Sequence, residues 1–123
     1  MPAKSKADRE SLAQYRLEHD RCAVCYHRGA GWNPLEIHHL AHRNGKDQHD
    51  HRALILLCRE CHQGYHSGGG KSLSLGQLLT AKEEEDGTLD IPFLAGLKGR
   101  KWLKDDPQPL PLWAEDHRRD NRR

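Results

Sequence analysis

Cysteines and histidines are the residues of this chain best suited to chemistry, and they are spaced for it. Cys22 and Cys25 form one Cys-x-x-Cys pair in RCAVC, and Cys58 and Cys61 form another in LCREC. Two intervening residues let a tight turn point both sulfurs at one ion, and two such turns complete a tetrahedron. Zinc suits such a closed thiolate site because it has no geometric preference of its own. Seven of the ten histidines fall between positions 38 and 66. His62 and His66 are four apart, so a helix would place both rings on one face. His38 and His39 are neighbours, and on a strand neighbours face opposite ways. One ring of that pair can meet the helix as a metal ligand while the other faces the reactants as a base. The sequence therefore predicts a closed structural site and a second, open one. Simpler roles stay open: His62 could complete the cysteine site, and His66 could be helix surface. His42, His49 and His51 read as solvated loop histidines, and His19, His27 and His117 receive no role.

The bulk composition explains why a metal staple is needed. The chain has 123 residues, only 35% of them hydrophobic, with one Phe and one Met. A domain this small with so thin a core commonly relies on a metal or a disulfide. No apolar run is long enough for a signal peptide or a membrane span, which points to the cytoplasm, where paired cysteines favour zinc over disulfides. Cys58 to His62 also satisfies the Cys-x-x-Cys-His pattern of haem attachment, but that reading needs export and leaves Cys22 and Cys25 unexplained. The net charge of +2 does not advertise a nucleic-acid binder. Basic residues do concentrate at 4–28, 98–104 and 118–123, against an acidic run at 83–90, so one face could still be positive.

The elements that must position these residues can be sketched. Ser5 and Asp8 form a capping box for a helix running to about His19, and Ser74 and Gln77 form another for a helix ending near Gly87. The Glu83-Glu84-Glu85 run opposes the dipole of that helix at its C-terminal end. ALILL, residues 53–57, reads as a buried strand, and RECHQGYH as a short helix ended by Gly68 to Gly70. NPLEIHHL is ambiguous. Asn33, Pro34 and Glu36 suit a helix start, yet a strand over 36–40 would bring the histidines to the metal, and strand is the expectation. A further short helix is expected from Asp90 and Pro92 through Leu94, Leu97 and Trp102, then extended chain after Asp106 and a charged tail at 114–123.

In this order and spacing, RCAVC, EIHHL and ALILLCRECHQGYH resemble the HNH endonuclease family, specifically its small zinc-stapled members. The resemblance covers about residues 20–66. It implies an α+β protein: a ββα-metal motif stapled by a four-cysteine zinc site, with flanking helices. The division expected is an N-terminal helix at 1–20, a nuclease core at 21–70, a helical extension at 71–113 and the tail at 114–123. By position, His38, His62 and His66 resemble the ligands of a catalytic divalent ion (magnesium, manganese, nickel or zinc), and His39 resembles the general base. Cys22, Cys25, Cys58 and Cys61 resemble the zinc ligands. The implied substrate is DNA, cut with little sequence preference, with Arg43, Lys46, Arg52 and Arg59 as candidate backbone contacts or else plain surface charge. Small phage-encoded members suggest, by analogy alone, a terminase as partner. The rival function is a non-catalytic zinc module that binds DNA or protein. One position departs from the family: its middle Asn, which braces the loop and the base, is Ala53 here, with His51 and Arg52 nearby as substitutes.

Overall fold

The first helix, α1 (Lys6–Glu18), opens on the expected capping box: the Asp8 amide donates to Ser5 Oγ at 3.1 Å, and the Ser5 amide to the Asp8 carboxylate at 3.2 Å. The computed structural model describes residues 5–40, 49–68, 72–98 and 107–122. After α1 the chain folds into the first cysteine knuckle. It then runs through β1 (Leu35–His39), a 3-10 turn (His51–Ala53), β2 (Leu54–Cys58), α2 (Arg59–Ser67), α3 (Leu75–Asp86), α4 (Ile91–Lys98) and α5 (Leu112–Asn121). β1 and β2 pair antiparallel, with His38 opposite Ile55 and His39 opposite Leu54. The protein is thus α+β, a small two-stranded sheet among helices, as the resemblance implies.

The alternation of this sheet decides where each side chain goes. Leu54 and Leu56 pack with Tyr15, Leu12 and Ile37, which sets α1 on one face. Ala53, Ile55 and Leu57 join the larger core with the four cysteines, Leu78 and Leu79 of α3, Leu94 of α4 and Ala114 of α5. The Tyr15 hydroxyl donates to the Leu54 carbonyl at 2.9 Å, which ties α1 to β2.

Asn33, Pro34 and Glu36 explain why local propensity pointed to a helix where a strand forms. Asn33 does cap a helix, but it is α2. Its side-chain oxygen accepts from the Glu60 amide at 2.9 Å, and its amide donates to the Glu60 carboxylate at 3.2 Å. The Arg59 amide donates to the Pro34 carbonyl. Cys58 occupies the N-cap position of α2 but makes no side-chain capping bond, so Asn33 fills that role from a distant segment.

Helix α3 begins on the Ser74–Gln77 capping box and closes on Gly87 in the left-handed conformation (φ 77°), which glycine adopts without strain. Its acidic last turn is offset by partners from other segments and by Lys82 of α3 itself. Arg21 binds Glu85 at 3.0 and 3.1 Å, Arg118 binds Glu84, and both His19 and Lys82 bind Asp86. Residues 107–111 are extended, as expected, and are tied to α3 by Gln108 N to the Gly76 carbonyl and Thr80 Oγ1 to the Gln108 carbonyl. α4 matches the helix expected from Asp90 onward; Trp102 lies outside the described residues.

The segment expected to be a charged tail differs. Residues 112–121 are helix α5, and Arg118 within it is 3% exposed. Its guanidinium donates to the carbonyls of Val24 (2.8 Å) and Ala23 (2.9 Å), while Asn121 donates to the Cys25 carbonyl. The tail is therefore a clamp on the first cysteine knuckle.

Candidate functional site

The knuckle is built by backbone geometry before any side chain acts. The Tyr26 amide donates to the Cys22 carbonyl, and Tyr26 itself takes a φ of 66°, uncommon for an aromatic residue. Arg21 and Arg118 sit over its ring, 3.7 and 4.5 Å from the centroid. The second pair comes from the last residue of β2, Cys58, and from the first turn of α2, Cys61. All four cysteines are buried, and their sulfurs lie within 4.8 Å of one another. Cys25 Sγ and Cys58 Sγ are 3.7 Å apart. An edge of a tetrahedron with metal–sulfur bonds of about 2.3 Å measures about 3.8 Å, so the donor set fits zinc. Left to themselves the thiols conflict: burial pushes Cys22 up, while hydrogen bonds from Cys22, Cys25 and Cys61 hold Cys58 well below the usual thiol value. A bound cation removes that conflict by favouring all four thiolates.

The second cluster joins β1 to α2. His38, His62 and His66 place one nitrogen each within 4.8 Å of the others. His38 Nδ1 and His62 Nε2 are 3.1 Å apart, near the roughly 3.3 Å that two imidazoles on one tetrahedral ion of about 2.05 Å bond length would show. Burial is graded, from His38 at 3% exposed through partly buried His62 to exposed His66, so the cluster opens to solvent on one side. Tyr65 closes another side, with its ring centroid 4.9 Å from that of His38.

Sequence reasoning gave Glu36 only a capping role. Its carboxylate accepts from His62 Nδ1 at 3.1 Å and from Arg59 Nε at 3.3 Å. A carboxylate can only accept, so the His62 proton sits on Nδ1 and the Nε2 lone pair is left for an ion. The strand alternation that puts His38 beside α2 puts Glu36 there too, which is the signal that could have found it.

His39, the last residue of β1, faces the α1 side of the sheet, as alternation requires. Its Nε2 lies 2.9 Å from His49 Nδ1. His49 is therefore a correction: expected to be solvated, it is 8% exposed and packed on His39. The two substitutes considered for the missing Asn are committed elsewhere. His51 Nε2 bonds the Ser11 carbonyl, and Arg52 binds Asp50 and Asp90 while stacking on Phe93. Ala53 is fully buried in the core, a place suited to a small apolar side chain.

Among the candidate phosphate contacts, Arg59 stands at the start of α2 beside the histidine cluster, whereas Arg52 is held by two carboxylates near α4. Arg43 and Lys46 lie outside the described residues. No described helix is long and apolar enough to cross a membrane. No curated protein and no solved structure matches the chain. Residues 22–68 match the family model described as HNH endonuclease. Members of that family are usually nucleases, so a nuclease or other nucleic-acid-related function and a metal site follow at the family level. The segment that gathers the four cysteines and the three histidines is thus the part of the chain that matches that model, residues 22–68.

Proposed function

We propose that the protein is a metal-dependent endonuclease that hydrolyses phosphodiester bonds in DNA. The observation that carries this is the convergence of His38, His62 and His66 from a strand and a helix, beside a strand end that presents His39. A structural site alone would need only the cysteines.

His38, His62 and His66 would hold a divalent ion and, being three, leave positions open for phosphate and water. When bound, that ion would supply Lewis acidity to the scissile phosphate. Glu36 keeps His62 oriented, and Arg59, bonded to the same carboxylate, brings a guanidinium to that side of the cluster. His39 takes the proton from the attacking water, a task matched to an imidazole near neutral pH. It neighbours His38 but faces the other side of the sheet, so base and phosphate would have to meet beyond the strand end, where the pairing of β1 stops. Cys22, Cys25, Cys58 and Cys61 would hold the structural zinc that fixes α2 against the sheet.

Nicking of supercoiled plasmid with added magnesium, manganese, nickel or zinc tests this reading. The His39→Ala variant should cut about 100- to 10,000-fold more slowly than wild type, with its fold and metal content intact. Equal cutting by the two removes His39 from the mechanism. Wild type that binds two ions per chain but never cuts DNA defeats the nuclease reading itself.

A further inference from the structure

Trp32 is the one large apolar side chain exposed between residues 19 and 40, at 68% exposure, so packing gives little reason for it. We propose that its indole is a stacking platform for an unpaired base of DNA bound at the histidine cluster. This rests on the reading of the protein as an enzyme that acts on DNA.

The turn that carries Trp32 is held at both ends. The Ala30 amide donates to the Asn33 carbonyl at 3.1 Å and the Asn33 amide to the Ala30 carbonyl at 2.9 Å, which makes Gly31 and Trp32 the two residues of its tip. Asn33 is buried, and its side chain bonds the amide and the carboxylate of Glu60 in the first turn of α2. Such tips ordinarily carry Gly, Asn or Asp. An indole there leaves most of its apolar surface in water and adds little to the core. Its ring contact is with His27, at a centroid distance of 5.7 Å and an angle of 65°. The Gly29 amide donates to His27 Nδ1 at 3.0 Å and steadies that ring in turn. A flat aromatic surface on a fixed backbone suits a base, because stacking on it demands little ordering of the protein.

Charge favours a nucleic acid over a protein as the occupant. Three exposed arginines belong to the same stretch. Arg28 precedes Trp32 by four residues and binds Asp20. Arg16 of α1 donates to the Leu35 carbonyl at 3.2 Å, and Arg59 of α2 binds Glu36. Arg16 is bonded to a carbonyl rather than a carboxylate, so that contact leaves its charge available to a phosphate. A protein partner would call for a continuous apolar patch, whereas the chain on either side of Trp32 carries or binds guanidiniums. Trp32 is six residues from His38, so their Cα atoms are no more than about 20 Å apart. A strand with a phosphate at the histidines can therefore reach the indole with a base a few nucleotides away. Bases of an intact duplex are already stacked on one another, so the platform selects single-stranded or locally opened DNA.

The test uses the full-length, zinc-bound protein with no other divalent ion added, so that binding is read without cleavage. Fluorescence anisotropy compares a labelled thymidine oligonucleotide, an abasic oligonucleotide of the same length and charge, and a duplex. Wild type should bind the thymidine strand more tightly than the abasic one. Trp32→Ala should weaken binding to the thymidine strand about 5- to 150-fold and leave the abasic strand and the duplex within about twofold. Trp32→Phe keeps a flat ring and should lose less than Trp32→Ala; Trp32→Leu, apolar but not flat, should lose as much. Circular dichroism checks that the variants are folded. Equal affinity of wild type and Trp32→Ala for the thymidine strand, an equal loss on the abasic strand, or Leu serving as well as Phe overturns the proposal. Base-dependent binding through Trp32 in a protein that never nicks plasmid defeats the nuclease reading instead and leaves the platform standing.

Discussion

The four-cysteine cluster and the three-histidine cluster both draw on α2, yet they are built to opposite ends. Every cysteine is buried, and the first knuckle is gripped from outside by Arg118 and Asn121 of α5. The histidines grade from buried His38 to exposed His66, and what stiffens them is a side-chain hydrogen bond between His62 and Glu36, rather than a clamp on the backbone. A site closed on all sides can only hold structure. A site open on one side gives up some rigidity and gains room for a reactant. Sharing one helix couples them: the cysteine end fixes the axis along which His62 and His66 project.

The largest effect should come from treating the two sites alike. Cys58→Ser removes a ligand at the junction of β2 and α2. Structural zinc supplies about 10–16 kcal/mol of apparent binding energy to small domains. This variant should unfold or lose its tightly bound zinc, read by circular dichroism and metal analysis. His66→Ala should remain folded, keep that zinc and lose only a second ion. A soluble, folded Cys58→Ser protein with one zinc per chain would erase the distinction between the sites.

Arg118→Ala tests the clamp. It strips donors from two buried carbonyls and leaves Glu84 without its guanidinium. A loss of about 2–4 kcal/mol is expected in urea unfolding, with faster zinc release to a chelator. An unchanged midpoint would return α5 to the status of a tail.

That helix marks the limit of what the sequence could tell. The cysteine frame, both capping boxes and the α2 histidine pair were legible because each is a short-range pattern. α5 was not, because its anchoring contacts span 94 to 96 residues and its composition is that of solvated surface. Asn33 was weighed as the cap of a local helix and set aside when strand was chosen there; its capping role proved to be for α2, since capping chemistry does not say whose amide is bound. His49 carried no periodicity at all. Only its place in a histidine-dense loop next to a missing Asn hinted at it. The triad of His38, His62 and His66 was predicted from spacing plus resemblance; Glu36 needed the register of β1.

Glu36 gives a smaller effect that separates geometry from charge. Glu36→Ala removes the acceptor that orients His62 and should weaken the second ion about 10- to 100-fold by calorimetry, leaving the cysteine-bound zinc untouched. Glu36→Gln, which still offers an oxygen to Nδ1, should lose less. Equal losses would mean that the carboxylate acts by charge alone.

The smallest effect is a pH response at the open end of the sheet. Arg52 hydrogen bonds hold the Asp50 carboxylate below its ordinary value, and the Arg52 amide and Nε both donate to Oδ1. A carboxylate with a depressed folded pKa stabilises the fold above its unfolded value, near 3.9, and loses that contribution as pH falls through the folded value. Asp50→Asn keeps an oxygen for the Arg52 amide but removes the charge, so the variant should be slightly less stable at neutral pH and equal to wild type in acid. Urea unfolding from about pH 7 down to about pH 3 reads this difference. Both proteins will also release zinc in acid as the thiolates are protonated, so the informative quantity is the gap between them. A gap that widens in acid would mean that Asp50 acts through something other than its bond to Arg52.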